Sequence, residues 1–476
     1  MTVDIGGADA EAAKHLHIDV AAVDSDGVAT IASELLSQSS GSNDVRTVTV
    51  YTQVGRGASP IRISLFDGDA ELDSISLDPN AAANSKLNVA PIPATTDLIA
   101  VLSASPANIG DAFANRGLSG SQTGRRLIEL NKVTALPTEW YGYDAVNVLI
   151  IPVGDGQLCK DLAADKSRFA ALNRWLQLGG RLVILCGGQN AQAIIGANGP
   201  LTSLIPGRFA GIVPLRETGP LEHYASASAI TGASIEVPRL TDVDGNIDAY
   251  AEGRATRLPL IVRSPRGFGE ITFVGVEFDR PPLVDWSGRT AFLHALLHPY
   301  LIDAIPTDST QKLVTSGFND LSGALRQRLG QNFTLVVPIG FPVVAGLAVA
   351  YLMFLGPVDY LLVHRWVRRP LVAWVTLPIM IGGFTAAAIA ISNWSKGVVA
   401  PRLNRLELID VDTIAKKARG TLWTALYSPD AQQFDLSVTP SAKAVDPSSA
   451  AEVLFSWWGL PGLGIGGMQT SNSDLG

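Results

Sequence analysis

The stretch KSRFAALNRWLQLGGRLVILCGGQN, residues 166–190, decides the fold class. Phe169, Leu172, Leu176 and Leu178 fall mainly on one helical face, which predicts an amphipathic helix. Gly179 stands where a helix-terminating glycine is expected. RLVILC then runs apolar without alternation, the pattern of a strand buried on both faces. Upstream, AVNVLIIPV (145–153) is a second run of the same kind. Strand, helix and strand joined by short loops make a βαβ unit, and so a parallel sheet.

Working outward, DLIAVLSA (97–104) reads as another buried strand. LPLIVRSPRGFGEITFVGVEF (258–278) reads as two antiparallel strands around a Pro-Arg-Gly turn, and GRTAFLHALLHPYL (288–301) as a closing helix. Residues 97–301 are therefore expected to form a flavodoxin-like α/β domain. Ahead of it, within residues 1–93, TVTVYTQVG, IRISLFDGD and LDSISLD alternate apolar and polar residues between turn signals. That spacing predicts a β-sandwich-like domain, or one irregular sheet packed on the next domain.

Downstream of a linker (302–332), FTLVVPIGFPVVAGLAVAYLMFL (333–355) and LVAWVTLPIMIGGFTAAAIAIS (371–392) carry no charge. Each is long enough as a helix to match the roughly 30 Å bilayer core, so a transmembrane hairpin is expected. Pro338, Pro342 and Pro378 do not oppose this, because proline is tolerated in membrane helices. Tyr351, Trp366, Trp374 and Trp394 stand where an aromatic belt would. Gly356-Pro357 is read as the stop of the first helix, with Asp359 as an interfacial residue beyond it. The loop 356–370 holds Arg365, Arg368 and Arg369, which places it in the cytoplasm and the large domains outside. Arg326, Arg328, Lys396, Arg402 and Arg405 on the other side weaken that bias. MTVDIGGADAEAAKHLHIDV has neither the basic nor the apolar region of a signal peptide, so the recorded start is expected to differ from the native one. In residues 398–476, LNRLELIDV, GTLWTALYS and QFDLSVTP read as strands of a further β domain. The Gly- and Pro-rich apolar end is too short to span, as if that domain stopped before its closing strands.

Composition narrows the function. The chain has 476 residues, enough for several domains, of which 47% are hydrophobic and 17% charged; soluble proteins carry about 25% charge. A net charge of -8 and a pI near 5.3 exclude nucleic acid as the main partner. Cys159 and Cys186, the two cysteines, allow one disulfide and no four-cysteine zinc site. His294 and His298 are one helical turn apart, but no Glu lies between them and Leu296 and Leu297 mark a packing helix. Gly462, Gly464 and Gly467 have dinucleotide-loop spacing without the required strand and helix. His15 and His17 carry no assigned role. Neither a metal nor a cofactor is expected.

The order LPTEWYGYDAVNVLIIP, LNRWLQLGGRLVILCGG, ITFVGVEFDRPPLVDWSG, an apolar span and LGPVDYLLVHRWVRRPLVAWVTLPI resembles a family of bacterial membrane proteins common in planctomycetes. Its members carry a class I glutamine-amidotransferase-like α/β domain ahead of their membrane helices. The resemblance covers roughly residues 95 to 400 and implies architecture rather than activity. Active amidotransferases place their nucleophile in Gly-x-Cys-x-Gly; around Cys186, Gly188 matches but Ile184 replaces the first glycine. Their histidine and glutamate come from a segment whose counterpart here is GVEFDRP (275–281), with Asp279 and Pro281 in those places. An aspartate does not readily activate a thiol near neutral pH.

The implied function is a non-enzymatic integral protein of the inner membrane, a scaffold or sensor whose degenerate domain binds a protein partner or small ligand. Gly154, Gly187, Gly188 and Asp279, at the carboxyl ends of the strands, are the candidate ligand-binding residues. Arg365, Trp366, Arg368, Arg369 and Trp374 are the candidate membrane-interface residues. The bilayer and a membrane protein are the expected partners. The alternatives are a diverged thiol hydrolase or amidotransferase-like enzyme using Cys186, and an accessory subunit of a transport complex.

Overall fold

The computed structural model describes residues 2–6, 16–23, 29–36, 45–52, 54, 59–68, 70–78, 92, 96–104, 109, 125–232, 234–252, 257–301, 328–330, 333, 339–361, 363, 365, 373–396, 400–414, 417–430, 434 and 468–471. The chain divides into two compact units. One is Met1–Thr310 with Val411–Lys417 and Val438–Gly476; the other is Gln311–Asp410 with Ala418–Ser437.

The first unit opens with β1 (Thr2–Gly6), β2 (Leu16–Val23), β3 (Ala29–Leu35), β4 (Val45–Thr49), β5 (Ile61–Asp67) and β6 (Ala70–Leu77). β3, β2, β5 and β6 form an antiparallel sheet, while β1 and β4 pair separately. Alternation decides which face is covered: Leu16, Ile18, Val20 and Ala22 are buried along β2. Val48 and Val50, on and just after β4, pack into the same small core with Leu36 and Ile61. Met468–Ser471 joins this sheet as a parallel strand on β3. Sequence position alone places these residues in a C-terminal β domain. Four mostly polar residues carry no pattern that names a partner 438 positions away, as Thr30 is from Met468.

Next come β7 (Asp97–Leu102), β8 (Arg125–Leu130), β9 (Val148–Pro152), α1 (Gly156–Ala164), α2 (Lys166–Leu178), β10 (Arg181–Leu185) and α3 (Ala191–Ile195). They are followed by β11 (Arg208–Leu215), α4 (Gly219–Ala225), β12 (Ile235–Thr241), β13 (Asn246–Glu252), β14 (Arg257–Arg266), β15 (Gly269–Val274) and α5 (Arg289–Leu297). A seven-stranded sheet has the order β13-β14-β15-β10-β9-β7-β8. β8, β7, β9, β10 and β15 run parallel, and β14 and β13 continue it antiparallel. Numbered by appearance, the parallel strands lie in the order 2-1-3-4-5, a common doubly wound arrangement. β11 and β12 make a separate hairpin-like pair.

Strand periodicity builds both layers of the core. Ile99, Val101, Val148, Ile150, Val183, Leu185 and Val274 face Phe292, Leu293, Leu296 and Leu297 of α5 and Leu221 of α4. The alternate residues, among them Leu149, Ile151, Leu182, Ile184 and Phe273, face Leu162, Leu172, Trp175 and Leu176 of α1 and α2. Each such side chain contributes about 1.5–3 kcal/mol on burial. The helix over 166–178 stops as expected: Gly179 adopts φ 131°, and the Gly180 N–H returns to the Trp175 carbonyl.

In the second unit, α6 (Phe341–Leu361) and α7 (Ala373–Lys396) are long and apolar enough to cross a membrane. Their apolar segments have mean hydropathy of 2.0 and 1.8, and none of either segment is buried inside the protein. α6 does not stop at Gly356-Pro357. It widens into a π-helical turn over Phe354–Val358 and continues, a local adjustment that accommodates a residue lacking its N–H. Asp359 then accepts a hydrogen bond from the Thr376 hydroxyl on α7 at 2.6 Å, and so ties the two helices together. Tyr351 lies within α6 with its ring edge-on to Phe384 rather than at an end. β16 (Arg402–Asp412) and β17 (Lys417–Tyr427) pair as a two-stranded ribbon.

Candidate functional site

Parallel strands deliver their carboxyl ends to one edge of the sheet. There β7 gives Ala104, β9 gives Gly154 and Asp155, β10 gives Cys186 and Gly187, and β15 leads into Glu277. In the order 2-1-3-4-5 the crevice opens between β7 and β9, where successive connections leave to opposite sides. Asp155 closes its floor. One carboxylate oxygen caps α1 at the Leu158 N–H, and the other accepts from the Ala104 N–H at 3.1 Å. Asn190, held at φ 57°, donates its side-chain amide to the Gly154 carbonyl at 2.8 Å.

Glu277 is the centre of this edge. Its side chain accepts the Gly187 N–H, and the residue is only 8% exposed. The approach of backbone to carboxylate explains the two glycines. A Cβ on Gly154 would lie 3.0 Å from Glu277 Oε2 and 3.3 Å from Asp279 Oδ2, and one on Gly187 would lie 3.2 Å from Glu277 Cδ. Both carboxylates thus converge on Gly154. Glu277 Oε1 and Asp279 Oδ1 are buried and lack a hydrogen-bond partner. Burial pushes the Glu277 carboxyl up to about 7. The Gly187 N–H opposes that rise, the Asp279 charge adds to it, and Arg280 opposes it. Arg280 lies 4.0 Å from Asp279 with its own side chain half in water, so it neutralises the pair weakly.

Cys186 does not belong to this surface. It is fully buried in the α1–α2 layer beside Cys159, and its thiol points at the Gly187 carbonyl at 3.6 Å. Burial, then Glu277 and Cys159, raise its pKa far above the ordinary thiol range. Burial, Asp155 and Glu277 push the Cys159 thiol up to about 12. Both thiols stay protonated and unreactive near neutral pH.

The structure brings three of the four expected ligand-binding residues together: Gly154, Gly187 and Asp279 all border Glu277. Gly188 faces elsewhere. Its N–H donates to the Glu236 carbonyl on β12, and a Cβ there would meet the Glu236 side chain. Sequence reasoning missed Glu277, Asp155 and Asn190. Glu277 did leave a signal, since it is the single acid in ITFVGVEF, an otherwise apolar run, and an ionisable group there is expensive to bury without a use. Of the membrane-interface residues, Arg365 and Trp374 are exposed; Trp366, Arg368 and Arg369 lie outside the described residues. His294 and His298 stand with ring centroids 5.8 Å apart, and among the described residues no group of three or more His, Cys, Asp or Glu is placed to hold a metal.

No family model matches the chain, and no curated protein does. Solved structures give distant likenesses. Cytoplasmic Protein STM3548 from Salmonella typhimurium is 11% identical over 43% of this chain and 98% of its own, with a TM-score of 0.30. Exo-beta-1,4-mannosidase Op5Man5 from Opitutaceae bacterium strain TAV5 is 14% identical over 44% of this chain and 37% of its own, at 0.28. A beta-galactosidase from Bacillus circulans sp. alkalophilus is 14% identical over 43% and 30%, at 0.25. The chain spans about a third of either glycosidase. These TM-scores are too low to assign this chain a fold or an activity.

Proposed function

We propose that this chain is a non-enzymatic integral protein of the inner membrane, anchored by α6 and α7. Its α/β domain is amidotransferase-like in strand order but not in chemistry, and it binds a partner or small ligand at the carboxyl edge of its sheet. The observation that carries the proposal is the buried carboxylate of Glu277 at that edge, one oxygen of which, Oε1, lacks a hydrogen-bond partner, where doubly wound sheets take their ligands. The thiol that would make the domain an enzyme is sealed in the core. The fully uncovered apolar helices support the anchor. The basic loop that includes Arg365 supports a cytoplasmic connection with the large domains outside. The planctomycete-type family named above remains the best description of the domain order.

Photo-activatable side chains placed at Asn190 and, as a control on the opposite edge, at Arg266 test the binding reading in intact membranes. An adduct from Asn190 alone, protein or small molecule, supports it; equal labelling from both, or none, overturns it. Thiol alkylation of the folded chain at neutral pH tests the enzyme class. Cys186 is expected to stay unlabelled until the protein unfolds, and rapid labelling would restore the hydrolase reading.

A further inference from the structure

Among the described residues, four buried side-chain polar atoms lack a hydrogen-bond partner: Arg125 Nε, Trp140 Nε1, Glu277 Oε1 and Asp279 Oδ1. The two acceptors belong to one pair of carboxylates whose other oxygens, Glu277 Oε2 and Asp279 Oδ2, border Gly154. A buried acceptor left unmade costs about 1–3 kcal/mol, more when charged, and two like charges side by side add repulsion. We propose that the Glu277–Asp279 pair is the binding site for a compact organic ammonium group. This rests on the reading that the carboxyl edge is the binding face, and it names the chemistry which that face recognises.

A primary ammonium carries one positive charge and three N–H donors on a single atom. It can give one donor to Glu277 Oε1 and another to Asp279 Oδ1, and its charge removes their repulsion. The glycine Cα atoms border the carboxylates so closely that even a methyl in place of either hydrogen would stand within 3.2 Å of Glu277. A tetramethylammonium has no N–H to give to either oxygen. Divalent cations need more oxygen ligands than two carboxylates supply, and no larger acidic, histidine or cysteine cluster is present among the described residues. The pair lies just beneath the surface, since Gly154 and Asp279 are only partly covered and Asn190 is exposed.

Charge around the pair favours a cation. Asp155 at the start of α1 and Glu236 on β12 stand at the same edge, Cys159 and Cys186 are neutral thiols, and among the described residues Arg280 is the cation whose charge acts on Glu277. Because the Glu277 carboxyl is held up to about 7, a bound ammonium must displace its proton near neutrality. Binding is therefore expected to weaken as pH falls below about 7.

The full chain in detergent micelles is titrated calorimetrically with ethanolamine, with tetramethylammonium as a cation without donors and with calcium as a metal. The expected result is saturable ethanolamine binding in the millimolar range, weaker by about tenfold or more in Glu277→Gln and in Asp279→Asn, and no binding of tetramethylammonium. Glu277→Gln keeps the shape of the side chain, and an unchanged melting profile of Asp279→Asn checks that the fold persists. Equal binding by wild type and both variants, equal binding of tetramethylammonium, displacement by calcium, or no saturable ethanolamine binding each overturns the proposal. If ethanolamine fails while Asn190 still yields its specific adduct, the ligand class falls and the binding face stands; if both fail, the reading of the face falls with it.

Discussion

At the amino edge of the seven-stranded sheet, Arg263 donates to Asp248 at 2.5 Å, to Glu270 at 3.3 Å, to Tyr224 at 3.1 Å and to the Leu296 carbonyl at 3.2 Å, and it also reaches the Tyr300 hydroxyl. At the carboxyl edge, Glu277 and Asp279 leave one buried oxygen each without a donor. An open cavity of about 420 Å³, lined by Arg181, Arg263, Glu270 and Tyr300, lies on the amino side, yet every guanidinium nitrogen of Arg263 there is already satisfied. The difference separates architecture from function. A closed ionic network fixes β13, β14, β15 and the end of α5 relative to one another, whereas an unclosed pair has bonds still to make.

The comparison breaks most sharply at Arg263. Arg263→Ala strands two carboxylates, Asp248 and Glu270, in a partly buried site. The loss of one partner from such a pair costs about 3–5 kcal/mol, so denaturant unfolding of the full chain in micelles should show a lowered midpoint for this unit. A variant as stable as wild type would show that the network is decoration.

Glu277→Gln should move stability the other way. The folded-state carboxyl is raised from 4.5 to about 7, so the fold favours its protonated form. That contribution is complete below about pH 4.5 and is lost as pH rises through about 7. Wild type should therefore lose up to about 3 kcal/mol between those limits, on a scale of about 1.4 kcal/mol per pKa unit. Glu277→Gln should flatten that slope and exceed wild type at pH 8. Thermal midpoints across pH 5 to 8 check both statements, and a variant that keeps the wild-type slope would assign the titration to another group.

A smaller effect is expected at Gly154. Gly154→Ala forces a methyl to 3.0 Å from Glu277 Oε2 and 3.3 Å from Asp279 Oδ2. Overpacking of this kind costs about 1–3 kcal/mol, and here it also pushes both carboxylates from their positions. Ethanolamine binding should vanish while secondary structure by circular dichroism stays intact. Unchanged binding would put the ligand elsewhere along the edge.

Most of this contrast was hidden in the sequence for a physical reason. Buried parallel strands announce themselves because DLIAVLSA, AVNVLIIPV and RLVILC must be apolar on both faces, and the helix stop at Gly179 follows from backbone geometry alone. The site does not, because its parts come from β9, β10 and β15, whose alignment is set by non-local pairing, Leu149 with Leu182 and Arg181 with Glu270. Gly154 and Asp279 could be named from their place after strands. Glu277 is not singled out by the likeness of GVEFDRP to the amidotransferase segment, because the catalytic places there fall on Asp279 and Pro281, two and four residues later. The strand Met468–Ser471 and the continuation of α6 through Pro357 were illegible for similar reasons, the first a non-local pairing and the second a π-turn that proline signals do not anticipate.

Cys186 supplies the mildest and most discriminating test. It is buried with Cys159, Ile184 and Leu162 in the α1–α2 layer, and it lies next in sequence to Gly187 at the carboxyl edge. If the thiol serves only as a small apolar filler, Cys186→Ala deletes one atom from a packed core and costs about 1 kcal/mol. The expected outcome is a melting midpoint lowered by a few degrees, with ethanolamine binding and its pH dependence unchanged. Loss of binding without loss of stability would mean that the thiol acts on the ligand, and the division between an inert core cysteine and an open carboxylate pair would fall.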